Sequence, residues 1–543
     1  PACAATVSWT GALDADWHAA ANWFPRQVPT AADDVIIDQD AVVSVAAGSP
    51  AISFNTLALG DAAGNFAPTL RLSAAESTNG SVTIHRGAKL QQDTNQQIAF
   101  GALTVMPGGM LTHTANSSAR SFLLNLSVTG NFDLRAGASI AVSGMGYASF
   151  SGGAYGPGAG GYDDWGAGGG GGHGGGGGNG ARGAAGGAAN DGATNPVDLG
   201  SGGGGFPVGY QTGGNGGGAV ILSVGGTLTL AGAITANGLD GTLDNARNWS
   251  GGGGAGGTVN LTAAMLTGTG VVQANGGSAA AAGTRGGGGG GGRVAIVVTG
   301  TDNSSLNLQA NNGAGGNNGG AGTISLKTTG GTNYNLSIGD LTTVPQSGTG
   351  VVGSSLTFST VTLNNSIVVF DTGSTVNINS LIVGGGATVT GNNFIFGSDV
   401  PLTFKPGSSL GITGNQLMFP TGLTVQAGGS LQITANLLTV PSGSPIEVQA
   451  GSSLALAVST STGGVLNVRS GGTFRQFNAQ LINFDSVLVE TGGVLTHAAN
   501  ANTRKAVLNL NVSGDFDLQA GASISLSGMG YASFSGGAYG PGA

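Results

Sequence analysis

Apolar and polar residues alternate in short runs along the second half of this chain, and a recurrent glycine-containing phrase precedes each run. The phrase is a glycine, two small residues and an apolar residue. It reads GATV, GSSL, GGSL, GSSL, GGTF and GGVL from Gly386, Gly407, Gly428, Gly451, Gly471 and Gly492, at spacings of 21, 21, 23, 20 and 21 residues. Alternation such as Leu431-Gln432-Ile433 is typical of a half-buried strand, and the preceding glycine suits a tight turn.

A strand in each repeat of about 21 residues predicts an all-β fold of the parallel β-helix or β-solenoid type. Coils of such a fold stack about 4.8 Å apart, with inward Leu, Val and Ile forming a continuous core. An array of antiparallel β-sandwiches is the alternative, because sandwiches also place strands every 8–12 residues or so. Equal spacing over many steps favours the solenoid.

A long internal duplication defines the organisation of the chain. Residues 84–159 return as 468–543 at a constant offset of 384, and SGMGYASFSGGAYGPGA recurs letter for letter. This predicts a tandem array, in which about 15 coils per copy would span about 70 Å. The predicted regions are a Trp-rich cap with the first strands (1–60), solenoid coils (61–140), a glycine-rich solenoid with long loops (141–330), regular coils (331–470) and the start of a second copy (468–543).

Glycine runs interrupt the coils between residues 141 and 330, as in GGGGAGGTVNL and GGGGGGGRVAI. One interpretation is a flexible linker, since glycine loses the most entropy on ordering. The other is a bundle of extended threefold strands of the polyglycine-II kind, in which bare backbones bond laterally. Repetition of the runs favours the bundle. We expect Gly170, Gly176, Gly253 and Gly288 to present a flat lateral face that packs against identical copies.

Three asparagines end successive coils just before these glycine loops. Asn237, Asn275 and Asn311 follow the phrases ITA, VQA and LQA at equivalent positions. Stacked in register, they are expected to form an inward ladder of amide hydrogen bonds.

The amino-terminal segment contains Trp9, Trp17 and Trp23, three of the five tryptophans. An aromatic cluster with a proline turn is typical of a cap over an open sheet edge. We also expect chains to join by stacking terminal coils on this cap, so that deletion of residues 1–40 abolishes polymers. Asp33, Asp34 and Asp38 offer oxygens for calcium, but their spacing matches no calcium loop, and a solvated turn is favoured. No cofactor is predicted.

Composition restricts the classes of partner. Glycine supplies 110 of 543 residues, charged residues supply 8 %, and the formal net charge is −9. The chain has no basic stripe for nucleic acid and no apolar run of the ~18 residues that a membrane span needs. The single cysteine, Cys3, excludes an internal disulfide framework. A start at Pro1 is what signal-peptide removal leaves, so we expect a secreted protein at the cell surface.

The opening W…NW…P…DDVII and the coils punctuated by ANGG…GGGGGGRVAI resemble very large secreted or surface-anchored bacterial β-helix repeat proteins of the adhesin-like kind. The resemblance implies export, a parallel β-helix and a role at the cell exterior. It implies no catalytic residues.

An enzyme is the class of function that the sequence disfavours. Some β-helices cleave acidic polysaccharides with paired aspartates and a Gly-His-Gly element, and this chain has Asp163-Asp164 and Gly172-His173-Gly174. Both lie in a glycine-rich excursion without a rigid frame, and the matching basic element is missing. The duplicated His113 and His497 lack the clustered ligands of a zinc site.

These observations predict an extracellular structural protein that forms or decorates a fibre, sheath or surface appendage. Self-association into fibres or arrays is the expected partnership. The alternative is an adhesin stalk that carries a distal module, with a carbohydrate or another surface ligand as its partner.

Overall fold

The computed structural model describes residues 5–163, 167–181, 183–205, 213–245, 248–280, 286–339, 345–353, 355–397, 402–534 and 537–541. Within them the chain is almost entirely β, with one 3-10 turn at Ala20–Asn22 and no α-helix, so the all-β prediction is confirmed. No described helix has the length and apolar character needed to cross a bilayer. Two compact units are present, residues 1–331 with 345–349 and residues 332–344 with 350–543. Cys3 lies outside the described residues.

The first unit is built from short strands. They are β1 Thr6–Trp9, β2 Trp23–Phe24, β3 Asp34–Ile37, β4 Val42–Val45, β5 Thr56–Leu59, β6 Thr69–Leu72, β7 Glu76–Ser77, β8 Ser81–Ile84, β9 Lys89–Gln92, β10 Ile98–Phe100, β11 Ala102–Val105, β12 Met110–His113, β13 Leu124–Val128 and β14 Phe132–Leu134. The series continues with β15 Ser139–Ala141, β16 Ser149–Phe150, β17 Gly153–Ala154, β18 Ala219–Leu230, β19 Ala233–Thr235, β20 Leu243–Asp244, β21 Trp249–Ser250, β22 Thr258–Gly268, β23 Val271–Gln273, β24 Arg293–Val298, β25 Asp302–Ser304, β26 Asn307–Gln309 and β27 Thr323–Lys327.

Three ladders of parallel strands run through this unit. The first passes from β1 through β3, β5, β8, β11, β14, β18 and β22 to β25. The second passes from β7 through β10, β13, β18, β22 and β24 to β27. The third passes from β4 through β6, β9, β12, β15, β19 and β23 to β26. Each turn of the chain therefore adds strands beside those of the turn before it.

Side chains on these strands alternate between interior and exterior, as the sequence pattern predicts. At matched register the interior positions of the third ladder are Val43, Leu70, Leu90, Leu111, Ile140, Ile234 and Val272. All seven are 0 % exposed. Since full burial of such a side chain stabilises the fold by about 1.5–3 kcal/mol, this aliphatic column fixes the register of the turns.

The length of a turn varies widely in the first unit. Thr114 and Asp93, which bond between neighbouring turns, are 21 residues apart. Thr227 and Asn131 are 96 residues apart, because the longest glycine-rich excursion intervenes. Turns of such different lengths pair in register because the excursions leave and rejoin the ladders.

The glycine phrases form turns between strands, as predicted. The backbone is in the left-handed region at Gly87, Gly108, Gly137, Gly407, Gly428, Gly451, Gly471 and Gly492. At Gly87, with φ of 81°, a side chain would be strained, and its N–H donates to the carbonyl of Gly108 in the next turn at 3.0 Å. Gly386 is the exception, because it is the first residue of a strand.

The second unit continues the series of strands. They are β28 Tyr334–Ile338, β29 Thr349–Val351, β30 Ser355–Leu363, β31 Ser366–Phe370, β32 Thr375–Ile378, β33 Leu381–Val383, β34 Gly386–Thr390, β35 Asn393–Phe396, β36 Thr403–Phe404, β37 Ser409–Met418, β38 Leu423–Val425 and β39 Ser430–Thr439. The remaining strands are β40 Pro445–Val448, β41 Ser453–Thr462, β42 Val465–Val468, β43 Thr473–Gln476, β44 Ile482–Phe484, β45 Ser486–Val489, β46 Val494–His497, β47 Leu510–Val512, β48 Phe516–Leu518, β49 Ser523–Ile524, β50 Ser533–Phe534 and β51 Gly537–Ala538.

Parallel ladders also organise the second unit. One passes from β31 through β34, β37, β39, β41, β43 and β46 to β49. Another passes from β38 through β40, β42 and β45 to β48. Among the strand pairs whose direction is known within the described residues, antiparallel pairing is found for β1 with β2 and in the hairpins β16–β17, β20–β21 and β50–β51. This pairing does not fit an array of antiparallel sandwiches.

The two copies of the duplicated segment differ in burial. Phe132 and Ile140 of the first copy are 0 % exposed, because β18 and β19 pair over β14 and β15. Their equivalents Phe516 and Ile524 are each 44 % exposed. The same side chain is thus core or surface according to whether a further turn covers it.

One carboxyl group lies inside the second ladder of the first unit. Glu76 occupies an interior position in register with Ile98, and its exposed fraction is 2 %. Its Oε2 atom accepts a hydrogen bond from the N–H of Ile52 at 2.7 Å. Burial raises the pKa of Glu76 to about 7, although the Ile52 bond opposes the shift.

We predict that Glu76→Gln removes a pH dependence of stability. The folded-state pKa of about 7 exceeds the ordinary value of 4.5, so stability is full below pH 4.5 and is lost as the pH rises through 7. The amide keeps an acceptor for Ile52 without the charge, so the variant should be more stable than the parent at pH 8 by about 2 kcal/mol. Thermal unfolding between pH 4 and 9 measures the effect.

The matched control for this prediction is Glu490→Gln. Hydrogen bonding to Arg469 lowers the pKa of Glu490, so its contribution to stability lies below the range in which Glu76 titrates. This control should keep the decline of stability above pH 4.5. Equal pH profiles for E76Q and the parent would contradict the assignment of that decline to Glu76.

Candidate functional site

The glycine runs of the first unit form a hydrogen-bonded bundle, here called the glycine bundle. It consists of residues 158–161, 167–178, 186–188, 199–204, 213–218, 251–257, 274–277, 286–292, 310–322 and 345–349. Its central run, residues 286–292, is buried. None of these runs is assigned to a ladder strand, apart from the last residue of 345–349.

Hydrogen bonds from the central run repeat every third residue. Gly287 and Gly290 donate to the carbonyls of Gly168 and Gly171, each at 2.8 Å. The next pair, Gly288 and Gly291, donates to Asn317 and Gly320, and the third pair, Gly289 and Gly292, donates to Gly277 and Ala274. A period of three is typical of an extended threefold helix, whose backbone groups point in three directions.

The same run also accepts backbone hydrogen bonds. Its carbonyls at Gly287 and Gly288 accept from Gly253 and Gly178, and that of Gly289 accepts from Gly313. The central run is therefore bonded to four segments, residues 167–178, 251–257, 274–277 and 310–322. Such an arrangement satisfies buried backbone groups without any β-sheet.

Closely packed glycines of the glycine bundle leave no room for a side chain. A Cβ atom built on Gly288 would overlap the carbonyl oxygen of Gly313, and one on Gly290 would overlap that of Gly175. A Cβ atom on Gly170 or Gly253 would likewise meet a backbone carbonyl. These glycines are required by the close approach of neighbouring backbones.

The predicted lateral face is wrong at all four of its residues. Gly170, Gly176, Gly253 and Gly288 are buried, and each donates a backbone hydrogen bond within the chain. They bind neighbouring segments of their own bundle, so none is available to another molecule. The reason is that the glycine loops pack on one another in several layers, whereas the prediction placed them in one exposed row.

A polar cluster buried beside the bundle links it to the strands. His173 is 0 % exposed, and its Nδ1 atom lies 2.9 Å from the carbonyl oxygen of Gly256. Its Nε2 atom lies 3.5 Å from Oδ2 of Asp191, which also accepts from the N–H groups of Val197 and Asp198 at 2.8 Å. The imidazole thus connects three segments that are distant in sequence.

Arg293, the first residue of β24, completes this cluster. It is 0 % exposed and donates through Nη2 to the carbonyl of Asn190 at 2.7 Å and through Nη1 to Oγ1 of Thr323 at 3.1 Å. Burial lowers the pKa of Arg293 to about 10, so the side chain remains charged at neutral pH. Burial would raise the pKa of Asp191, but hydrogen bonds from His173, Asp198 and Gly192 outweigh it and hold this pKa well below its usual range.

The three predicted asparagines are joined from turn to turn. Oδ1 of Asn237 accepts from the N–H of Asn275, and Oδ1 of Asn275 accepts from the N–H of Asn311, both at 2.8 Å. Their side chains are half-buried, and the interior positions beside them are held by alanines such as Ala236. The description of the ladder as inward is therefore wrong. The bonds run from side chain to backbone where the chain leaves the third ladder for the bundle.

His113 acts at the point where the chain returns from the bundle. Its Nδ1 atom lies 2.7 Å from the carbonyl oxygen of Thr114, so Nδ1 carries the proton and Nε2 accepts from the N–H of Ala219 at 3.3 Å. Burial lowers the pKa of His113 to about 4, which keeps the ring neutral in this role. In the second copy, His497 makes the corresponding Nδ1 contact with Ala498.

The three amino-terminal tryptophans form a packed cluster at the first turn. Trp9, Trp17 and Trp23 are at most 4 % exposed, and the Trp23 ring meets each of the others edge to face at 4.9 Å between centroids. Nε1 of Trp23 donates to the carbonyl of Trp17 at 2.7 Å. The interior of the first turn is thus covered by indole rings.

Backbone bonds of the same segment close the sheet edges there. β2 pairs antiparallel with β1 through Trp9 and Trp23, while Asp16 and Ser44 form a parallel bridge beside β4. The chain itself therefore pairs the outer edges of β1 and β4. Stacking of another chain's terminal coils on the cap stays a prediction.

Two of the three aspartates weighed as calcium ligands accept hydrogen bonds from the protein. Asp33 accepts from the N–H and hydroxyl of Thr30, and Asp34 accepts from Asn55 and Thr56. Asp38 is exposed. Among the described residues, no group of three or more His, Cys, Asp or Glu side chains could hold a metal ion.

The residues weighed for an enzyme do not gather in an open cleft. His173 is sealed inside the molecule, and the carboxylate it contacts is Asp191. Asp163 accepts from the N–H of Ala167, while Asp164 lies outside the described residues. Sequence reasoning missed Asp191 and Arg293, although an arginine directly after a glycine run was an available signal.

Comparisons with models of protein families, with curated proteins and with solved structures find no match to this chain.

We predict that Gly288→Ala destabilises the first unit far more than Gly176→Ala. The new methyl group at Gly288 must displace the backbone of Gly313, which should cost about 3 kcal/mol or more. At Gly176 the nearest atom to a Cβ is the carbonyl oxygen of Gly348 at 3.3 Å, so a shift of a few tenths of an ångström suffices. Chemical denaturation of both variants and the parent provides the comparison, and equal losses would contradict the packing described.

We predict that removal of the cap promotes association. Deletion of residues 1–24 frees the edges of β3 and β4, which are otherwise paired. Sedimentation velocity should show multimers of the deletion variant and a smaller assembly of the parent at equal concentration. The control carries the same deletion together with Ile36→Lys. A charge on the exposed edge of β3 opposes pairing, so this control should associate less than the deletion variant. A deletion variant that associates no more than the parent would show that the cap does not protect the edges of β3 and β4 from pairing.

Proposed function

We propose that this chain is a parallel β-solenoid that serves outside the cell as a structural unit of a fibre, sheath or surface appendage. The in-register parallel pairing over successive turns, present in both units, carries the proposal. A stiff rod requires strands paired in register along its length, whereas a single reaction centre does not. The duplication of residues 84–159 at an offset of 384 supports the proposal further, because a repeated unit extends the same rod.

The mechanical basis of this function is the direction of the hydrogen bonds. Each turn bonds to the next through rows of backbone groups that run along the stacking direction, so bending must strain many bonds at once. The glycine bundle, for which we propose the polyglycine-II arrangement, adds a rigid body of closely packed backbones within the first unit. Charged residues make up only 8 % of the chain, which also allows close packing of copies.

Contacts between copies are assigned to outer strand faces, since the bundle glycines are internal. In the second unit, Ser409, Ser430 and Ser453 lie in register on β37, β39 and β41. Their hydroxyls are at least partly exposed, and those of Ser430 and Ser453 lie 2.9 Å apart. Such a row of small polar groups is suited to lateral packing.

The export and surface location rest on the resemblance to large bacterial surface β-helix proteins. The second candidate function is an adhesin, and one observation favours it: the aromatic side chain of Tyr162, in the glycine-rich region, is 46 % exposed. Catalysis is not proposed, because His173 is enclosed and its neighbours serve to join segments.

The experiment for the proposed function is electron microscopy and X-ray fibre diffraction of the protein released from its native cell surface. A solenoid rod predicts a meridional reflection at about 4.8 Å and an axial repeat per copy of about 70 Å, or a multiple of it. Separate stiff rods with a terminal knob would favour the adhesin stalk. Absence of the meridional reflection from oriented samples would refute the solenoid.

A further inference from the structure

The last parallel strands of the second unit leave one sheet edge uncovered. β47, β48 and β49 pair on one side with β44, β45 and β46, and no strand of the described residues pairs with their other side. Apolar side chains here are exposed: Phe516 and Ile524 at 44 %, Leu526 at 42 % and Leu518 at 41 %. Residues 507–526, here called the terminal edge, thus present an unpaired strand edge and apolar surface together.

The first copy of the duplicated segment shows what covers the equivalent edge. Residues 123–142 correspond to the terminal edge at the offset of 384 and share most of its sequence, LNLSVTGNFDL against LNLNVSGDFDL. In the first copy β18 pairs with β13 and β14, and β19 pairs with β15. Each interior side chain of these pairs is at most 2 % exposed, as for Leu126 with Leu222, Phe132 with Leu228 and Ile140 with Ile234.

Both copies support this edge from below in the same way. β47, β48 and β49 pair with the preceding turn as β13, β14 and β15 do. Oε1 of Gln92 accepts from the N–H of Asn125 at 2.8 Å, and in the second copy Oε1 of Gln476 accepts from the N–H of Asn509 at 2.7 Å. The terminal edge therefore offers an added strand the same support that β18 and β19 have.

His497 adds a specific acceptor to the terminal edge. In the first copy Nε2 of His113 accepts from the N–H of Ala219, where β18 begins, and a Cβ atom on the preceding Gly218 would lie 2.3 Å from this Nε2. His497 is 7 % exposed and keeps the Nδ1 contact, but its Nε2 atom has no hydrogen-bond partner among the described residues. A nearly buried acceptor without a partner is unfavourable, so it favours a strand that brings an N–H group after a glycine.

We propose that the terminal edge is a docking surface for a parallel strand with the sequence of residues 218–235, supplied by a further copy of the repeat unit. The glycine of this strand lies against His497, and its apolar residues pack on Phe516 and Ile524 in the register of the first copy. Backbone pairing gives affinity, and alternate side chains give specificity. This goes beyond the proposed function, because it requires only the pairing of turns and no role outside the cell.

The test is titration of the full chain with a fluorescent peptide of residues 217–236, carrying added terminal lysines for solubility, followed by anisotropy. The parent is expected to bind it saturably. Phe516→Asp should weaken binding about tenfold or more, because its ring no longer packs on the leucine equivalent to Leu228. The matched control is Val369→Asp, at a side chain that is also 44 % exposed but lies on β31, at the other end of its ladder, and it should leave binding unchanged.

Changes in the peptide test the same contact without altering the protein. A Gly218→Ala peptide should bind the parent more weakly, since the methyl group meets the imidazole of His497 as it would meet that of His113. This loss should be smaller against His497→Ala protein, a coupling that non-specific adhesion of an apolar peptide does not produce. Amide hydrogen exchange should also slow within residues 507–526 when the peptide binds.

Three outcomes would overturn the proposal: no saturable binding by the parent, undiminished binding by Phe516→Asp and of the Gly218→Ala peptide, or association of two parent molecules through the terminal edge in sedimentation velocity. The last would make the terminal turn of a second molecule the occupant. Fibre diffraction of the same preparations separates this failure from failure of the proposed function. A protein that keeps its reflection at about 4.8 Å without binding the peptide is a rod whose edge takes no such strand.

Discussion

Backbone hydrogen bonding between successive turns is the interaction on which the rest of the structure depends. Parallel pairing holds every turn in register with its neighbours, and register places Leu70, Leu90 and Leu111 in one buried column. An excursion of any length must therefore return to the same register. The contacts at the junctions meet this requirement: the asparagines bind turn to turn where the chain leaves, and His113 binds Ala219 where it returns.

The glycine bundle depends on a different interaction. Its glycines have no side chains, so neighbouring backbones can approach closely enough to bond. It buries almost no apolar side chain, and ordering glycine is entropically costly. Backbone bonds in several directions offset this cost only if the segments are held in position. The cluster of His173, Asp191 and Arg293 holds them, since a buried charge pair with unmet partners would itself be unfavourable.

Much of the fold could be predicted from the sequence, because its elements are local and repeated. The glycine phrase marked turns such as that at Gly87, and the three tryptophans marked the cap. The sequence predicted less well which residues face solvent and which face another segment of the chain. Gly288 has no side chain, so no apolar pattern shows whether it faces solvent or another segment, and the structure buries it. Arg293 binds the carbonyl of Asn190, 103 residues away in the sequence, and Asp191 contacts His173; no local pattern encodes either contact.

The duplicated segment shows that burial here depends on the neighbouring turn more than on sequence. Phe132 and Phe516 occupy equivalent positions, yet one is fully buried and the other is 44 % exposed. When each turn is stabilised mainly by the next, stability is a sum over neighbouring pairs, and the outermost turn is the weakest. The amino-terminal cap removes this weakness at one end by covering the interior with indoles and pairing the edges. Any contact of another molecule with β1 or β4 at this end is therefore left to side chains, because the backbone groups of these strand edges are already paired.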